Sequence, residues 1–147
     1  MNFLCTILGR AGSKGVKNKN IRTVLGKPLI SHSILQAQKT NIFSKIVVSS
    51  DSNEILSIAK QYGADFIIER PLELATDTSA KLPAIQHCVL EAEKFFGKQF
   101  DIIVDLDPTS PLREIEDIKS CIDLILNTNA PNVLTAAPSR KSPYFNL

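Results

Sequence analysis

Short unbroken apolar runs alternate along this chain with stretches in which apolar side chains recur every three or four positions. The first run, Phe3–Leu8, predicts a buried strand that Gly9 ends. A stretch rich in Gly, Lys and Asn follows to about Gly26 and predicts a loop. Pro28 suits the first turn of a helix, where no N–H partner is needed, and Ile30, Ile34 and Ala37 give that helix an inward face to about Lys39. Lys45–Ser50 predicts a second strand. Asp51 and Glu54 stand at capping-box spacing before a helix with Ile55, Ile58, Ala59 and Tyr62 inward, and Gly63 predicts its left-handed stop.

A third strand is expected over residues 65–68. From about Ser79, the positions Leu82, Ile85, Val89, Ala92 and Phe96 keep the helical period until Gly97. Residues 101–106 predict a fourth strand, apolar enough for burial on both faces. Ile115, Ile118, Ile122 and Ile125 define the next helix, with Glu114, Glu116 and Asp117 near its positive end, and residues 132–137 predict a fifth strand. This alternation predicts an α/β architecture, a mainly parallel sheet with helices on both faces joined by right-handed crossovers. No repeat, low-complexity tract or linker interrupts it, so residues 1–147 are expected to form one domain.

Ligands of such sheets bind beyond the carboxyl ends of the strands. Three unusual segments fall there, residues 9–20, 70–78 and 107–113. Their convergence on one rim is the main organisational argument for a single active site.

Composition adds a size and a charge map. With 147 residues, 44% apolar and 22% charged, the chain has an ordinary globular profile, and no apolar run approaches the length of a membrane span. No basic leader precedes the first apolar run, so no secretory signal is expected. Cys5, Cys88 and Cys121 are odd in number and lack CxxC spacing, which predicts buried thiols in a reducing cytoplasm. Net charge is only +2, which predicts no general affinity for nucleic acid. The charge is unevenly spread, however: residues 1–50 hold eight Lys or Arg and no Asp or Glu. Six of them, Arg10, Lys14, Lys17, Lys19, Arg22 and Lys27, fall within eighteen positions. That field suits a small polyanion such as a triphosphate, or it is only a solvated basic face.

The first segment is neither a Walker A loop nor GxGxxG, since its glycines fall at 9, 12 and 15. Backbone N–H groups around Gly12 and Ser13 form a candidate anion nest, with Arg10, Lys14 and Lys19 to neutralise phosphate oxygens. The bland alternative is a polar connector. In the second segment Pro71 stiffens the backbone beside Arg70, whose guanidinium would present a fork to a base or phosphate, while Asp77 or Thr78 reads as the cap of the following helix. In the third, Asp105 and Asp107 project from the same face of an extended strand. Two carboxylates at a phosphate-binding rim suit Mg²⁺, which takes one or two of them together with phosphate oxygens. Asp107, nearer the strand end, is the better ligand candidate, and either carboxylate alternatively caps loop backbone held by Pro108 and Pro111. His32 and His87 lie in predicted helices without catalytic partners, and Ser49 and Ser50 have no adjacent base, so nothing points to covalent catalysis.

Taken together, these segments resemble the signature of acylneuraminate (CMP-sialic acid) cytidylyltransferases across essentially the whole chain. The matching stretches are Arg10-x-x-Ser13-Lys14-Gly15-x-x-x-Lys19-Asn20, Val48-Ser49-Ser50-Asp51, Arg70-Pro71-x-x-Leu74-Ala75-x-Asp77-Thr78, and Pro108-Thr109-Ser110-Pro111-Leu112-Arg113. The resemblance implies a Rossmann-like fold of the nucleotide-diphospho-sugar transferase type, with CTP and Mg²⁺ as requirements. It implies transfer of CMP to the anomeric hydroxyl of an acidic nine-carbon ketosugar, a nonulosonate, with release of pyrophosphate. By that match Arg10, Lys14 and Lys19 grip the triphosphate, and Gly12, Ser13, Asn20, Arg70 and Asp77 contact the nucleotide. Asp107, Thr109 and Ser110 would face the sugar, and Asp105 and Asp107 the metal.

One departure concerns Asp107, because many sialic acid members carry Gln there. An Asp resembles the metal-binding residue of the related KDO cytidylyltransferases and the bacterial legionaminate-type enzymes, so the expected acceptor is of the neuraminate or legionaminate type. Family members continue past a point equivalent to residues 142–147 into further strands and a dimerisation arm. The chain is therefore expected to be truncated at its C-terminal end, and the full-length protein to be a homodimer. The alternatives are another sugar nucleotidyltransferase of this fold, or a nucleotide-binding module without catalysis.

Overall fold

The computed structural model describes residues 1–12, 15–128 and 130–136. In chain order it contains β1 (Phe3–Leu8), a 3₁₀ turn (Lys19–Ile21), β2 (Thr23–Val24), β3 (Lys27–Pro28), α1 (Leu29–Thr40), β4 (Lys45–Ser50) and α2 (Asn53–Gln61). Then follow β5 (Phe66–Glu69), a second 3₁₀ turn (Leu72–Leu74), α3 (Lys81–Phe96), β6 (Ile102–Asp105) and α4 (Ile115–Thr128). The chain divides into two compact units, Met1–Ile115 and Glu116–Leu147.

In the first unit four parallel strands stand in the order β5-β4-β1-β6. Register decides which side chains share a face. Thr6 lies beside Val47 on β4 and beside Asp105 on β6, and Ser49 lies beside Ile68 on β5. Since alternate residues of a strand face opposite ways, Leu4, Val47 and Ile68 look toward one side. There they pack with Cys88 and Ala92 of α3 and with Phe100, all buried. Phe66 and Phe96 meet edge to face beside this core, with ring centroids 5.9 Å apart. Cys5, Ile7, Ile46 and Val48 look the other way, toward the buried Ile30, Ile34, Ile55 and Ala59 of α1 and α2. Helices therefore cover both faces of the sheet, as the alternation of elements predicts.

Gly9 leaves β1 through a gap with no room for a side chain. A Cβ there would stand 2.9 Å from Ile30 Cδ1 and 3.4 Å from both Asn20 Nδ2 and Ile55 Cγ2.

Several expectations need correction. The segment before α1 is not plain loop. The antiparallel pair β2–β3 turns through Leu25 and Gly26, both at positive φ, a two-residue hairpin geometry. Pro28 belongs to β3 and sits just before α1 rather than in its first turn. His32 is structural as expected, its Nε2 2.7 Å from the Val24 carbonyl oxygen. Asp51 does not cap α2. Ser52 does, with its hydroxyl accepting from Ile55 N at 3.4 Å, because it is the residue that adopts the extended conformation a cap needs.

Leu82 is 62% exposed, and the buried face of α3 runs instead through Ala84, Cys88 and Ala92. Among the described residues β6 stands at the end of the sheet with its four residues half-buried, so its apolar run does not report burial on both faces. Gly63 and Gly97 do terminate α2 and α3 at positive φ.

In the second unit α4 carries Glu116 and Asp117 in its first turn, where the helix dipole favours them, and Glu116 pairs with Lys119 at 3.0 Å. Residues 132–136 form no strand, contrary to expectation, and Ala137 lies outside the described residues. None of the helices among the described residues is long and apolar enough to cross a membrane.

Cys5 and Cys88 are buried and Cys121 is half-buried, all three as free thiols. Burial pushes the Cys5 thiol well up and that of Cys88 to about 12. At pH 8 both are therefore protonated and poor nucleophiles. Iodoacetamide should label Cys121 ahead of Cys5 and Cys88, which should react only in denaturant. Equal native labelling of all three, read by mass spectrometry, would contradict this packing. Leu4→Ala should lower the urea-unfolding free energy by about 2–5 kcal/mol, whereas Leu82→Ala should stay within about 0.5 kcal/mol of the parent. Similar losses for both would mean that the inward face of α3 is misassigned.

Candidate active site

A cavity of about 270 Å³ opens at the carboxyl ends of the strands in the first unit. All three unusual segments contribute to its wall. Arg10, Gly12, Lys19 and Asn20 come from the first, Arg70 and Asp77 from the second, and Asp107 and Thr109 from the third. Ser13 and Lys14 lie outside the described residues. Asp105 stands one step behind the wall, and Ser110 does not line it.

The first segment is held in place both from outside and from within. Asp51, at the end of β4, accepts a hydrogen bond from Ala11 N at 2.8 Å. Asn20 is buried and donates through Nδ2 to the Arg10 carbonyl at 3.0 Å, so it shapes the loop from beneath. Arg10 forms a 2.6 Å ion pair with Asp77, both side chains being about one-third exposed.

Asp77 is therefore not the cap of α3. That helix begins at Lys81 behind Ala80, with no side-chain cap. Asp77 instead ties the second segment to the first. The second segment is otherwise knitted by Ser79, whose hydroxyl donates to the Glu73 carbonyl at 2.6 Å.

Arg70 differs from the presented fork that its position beside Pro71 suggests. It is buried, donating from Nη2 to the Ser49 carbonyl at 2.6 Å and to the Gly9 carbonyl at 3.5 Å, and from Nε to Ser49 Oγ at 3.2 Å. Burial draws its pKa down, with nearby Asp51 working the other way. The side chain clamps the ends of β1 and β4 and also borders the cavity. Ser49 and Ser50 are fully buried, and Ser50 Oγ accepts from Ser52 N at 3.0 Å, so both hydroxyls are structural.

The third segment is braced against α1. Arg113 donates to Gln36 Oε1 at 3.0 Å, to Ser33 Oγ at 3.2 Å and to the Asp107 carbonyl at 2.6 Å. Gln36 in turn donates to the Pro111 carbonyl at 2.7 Å. Asp107 Oδ1 accepts from the Thr109 N–H at 2.8 Å and from its hydroxyl at 2.7 Å. Burial tends to raise the Asp107 pKa, but these bonds and Lys81 outweigh it, and the carboxyl is held below its ordinary value. Asp105 Oδ1 accepts from Thr6 Oγ1 at 3.0 Å.

Lys81 is the residue that sequence reasoning missed. Its ammonium lies 2.6 Å from Asp105 Oδ2 and 3.2 Å from Asp107 Oδ2. Burial disfavours its charge, yet the hydrogen bond to Asp105 and the two negative charges raise its pKa overall. The available signal was a lysine opening a helix that has no acid in its first turn.

Among the described residues no group of three or more His, Cys, Asp or Glu gathers to hold a metal. Two carboxylates suit Mg²⁺ when waters or phosphate oxygens complete its shell, which is a common way for that ion to be bound. The Oδ2 atoms of Asp105 and Asp107 supply that donor set.

With the geometry established, the chain can be set beside known proteins. The family model described as Cytidylyltransferase matches residues 4–143. A Campylobacter coli protein named "Post-translational flagellin modification protein B" is 45% identical over 99% of this chain and 62% of its own length. A Campylobacter jejuni "CMP-N,N'-diacetyllegionaminic acid synthase" is 46% identical over the same shares. This chain thus spans somewhat under two thirds of those relatives. A solved CMP:2-keto-3-deoxy-manno-octonic acid synthetase complexed with CTP superposes with a TM-score of 0.71 over 88% of this chain and 49% of that one, at 18% identity, a likeness of fold. The match over nearly its whole length shows that this chain belongs to the cytidylyltransferase family.

Proposed function

We propose that the protein transfers CMP from CTP to the anomeric hydroxyl of a nonulosonate of the legionaminate or N-acylneuraminate type, releasing pyrophosphate. The observation that carries this reading is the single cavity on which Lys19, Arg70 and Asp107 converge. The wall is cationic on the side of the first segment and acidic on the side of the third, the polarity that a metal-bound triphosphate requires.

In this reading Lys19 and Arg10 neutralise phosphate oxygens, with Arg10 exchanging Asp77 for the ligand, and Lys14 serves the same end. Amides near Gly12 and Ser13 receive phosphate oxygens, and Asn20 keeps the loop in shape. Arg70 fixes the rim on which the cytosine ring rests. Asp107 and Thr109 face the sugar, with Ser110 behind them. Mg²⁺, bound by Asp107 and Asp105, would offset charge on the phosphates.

The chemistry needs no protein nucleophile. The sugar hydroxyl's oxygen bonds to the α-phosphorus as the bond to pyrophosphate breaks and its proton passes to solvent, so the protein's task is alignment and charge neutralisation. The buried, engaged state of Ser49 and Ser50 is consistent with that division of labour. The legionaminate-type acceptor is supported by Asp107 itself and by the name of the C. jejuni relative. Homodimeric assembly and a cytoplasmic location are further parts of the same reading.

Lys19→Ala should weaken CTP binding in calorimetry by roughly ten- to a hundredfold, the loss of one charge-assisted contact. Unaltered affinity would reduce the basic segment to a solvated surface. Magnesium-dependent pyrophosphate release should occur with CTP and a nonulosonate and not with UTP, GTP or ATP. Release with UTP or GTP alone would assign the protein to a different nucleotidyltransferase specificity.

A further inference from the structure

The two carboxylates at the end of β6 are aimed by the protein. Thr6 holds Asp105 Oδ1, and Thr109 holds Asp107 Oδ1 through both its N–H and its hydroxyl. The remaining oxygen of each residue turns to one point, and Lys81 Nζ occupies it, 2.6 and 3.2 Å away.

The lysine's position on its helix is unfavourable for a cation, and the two carboxylates offset that. It is the first residue of the 16-residue helix α3, whose positive end repels a like charge, and no acidic or capping side chain in the first turn relieves it. A local preference overridden in this way marks a site where something besides stability is at stake. The ion pairs are not filling a core. The Lys81 side chain is 48% exposed and that of Asp107 46%, so this pair contributes little to folding, while Asp105 is 17% exposed. Both residues line the cavity.

We propose that Lys81 is a placeholder cation. It holds the Asp105–Asp107 pair in register while the site is empty and yields that position to a divalent ion arriving with the nucleotide. Its flexible stem then carries the ammonium into the cavity toward the phosphates. The exchange is favourable in charge: two carboxylates with one ammonium carry a net −1, whereas with a divalent ion they are neutral and the displaced ammonium adds a positive charge facing the polyanion. Lys81 is thus a positioning residue that orders metal and nucleotide entry. The idea rests on the magnesium–CTP reading above.

The test is Mn²⁺ binding without nucleotide, followed by the electron paramagnetic resonance signal of the free ion. Lys81→Met should bind Mn²⁺ about tenfold more tightly than the parent, with Lys81→Gln as a second neutral variant. Lys81→Arg, which keeps the charge, should resemble the parent. Adding Asp107→Asn to Lys81→Met should abolish the gain. A merely structural lysine predicts the opposite, since its loss would loosen the carboxylates, so unchanged or weaker Mn²⁺ binding in both neutral variants overturns the proposal. Calorimetry with CTP keeps the two ideas apart. CTP binding with no gain in Mn²⁺ affinity removes the placeholder role and leaves the nucleotide reading standing. A gain in Mn²⁺ affinity without CTP binding keeps the cation exchange and removes the nucleotide reading.

Discussion

A guanidinium taken out of water governs the carboxyl edge of this sheet. Arg70 is 6% exposed, and a charge at that depth must find acceptors or destabilise what surrounds it. It finds them at the carboxyl ends of β4 and β1, on the Ser49 and Gly9 carbonyls and the Ser49 hydroxyl. One side chain thereby settles where two strands stop and where the first segment departs. The rest of the wall is built outward from that anchor by Asn20 and Asp51 under the first segment and by Arg113 under the third.

Several of the charged groups around the cavity are already in pairs. Arg10 answers Asp77, and Lys81 answers Asp105 and Asp107. Each pair joins parts of the chain distant in sequence, so the cavity wall is cross-linked by its own charged side chains. A polyanionic ligand must then compete with internal counter-ions as well as with water. Under the proposed function, that competition lowers affinity for any single anion and favours a ligand bringing phosphate and metal together, which would satisfy both halves of the pairs it opens.

The sequence was most informative where a residue's role depends on its immediate neighbours. The apolar runs at 3–8 and 45–50 appear as strands with the same limits, and the isoleucine spacing after Glu114 appears as α4. Convergence of the three segments was also legible, because a parallel sheet brings all its strand ends to one rim. Roles that depend on distant partners were not. Nothing beside Asp51 tells that it serves Ala11 rather than α2, and nothing beside Arg70 tells that its fork turns inward to Ser49. Lys81 meets Asp105 only because α3 packs over the same face that β6 presents. Leu82 fits the helical period yet faces out, since α3 starts two residues later than expected and Ala84, smaller and closer to the sheet, takes the inward line.

The crowding at Gly9 has a further bearing on specificity. The atoms nearest its missing side chain belong mostly to Ile30 and Ile55, in the aliphatic layer under α1 and α2 on the reverse of the sheet. The angle at which the first segment leaves β1 is thus set by methyl groups that no ligand touches. Exchanging either isoleucine for a bulkier or slimmer residue would tilt the basic segment and alter the breadth of the cleft. The width of the cleft beside residues 9–20 is therefore adjustable from the hydrocarbon interior, with every residue of the polar rim left as it is.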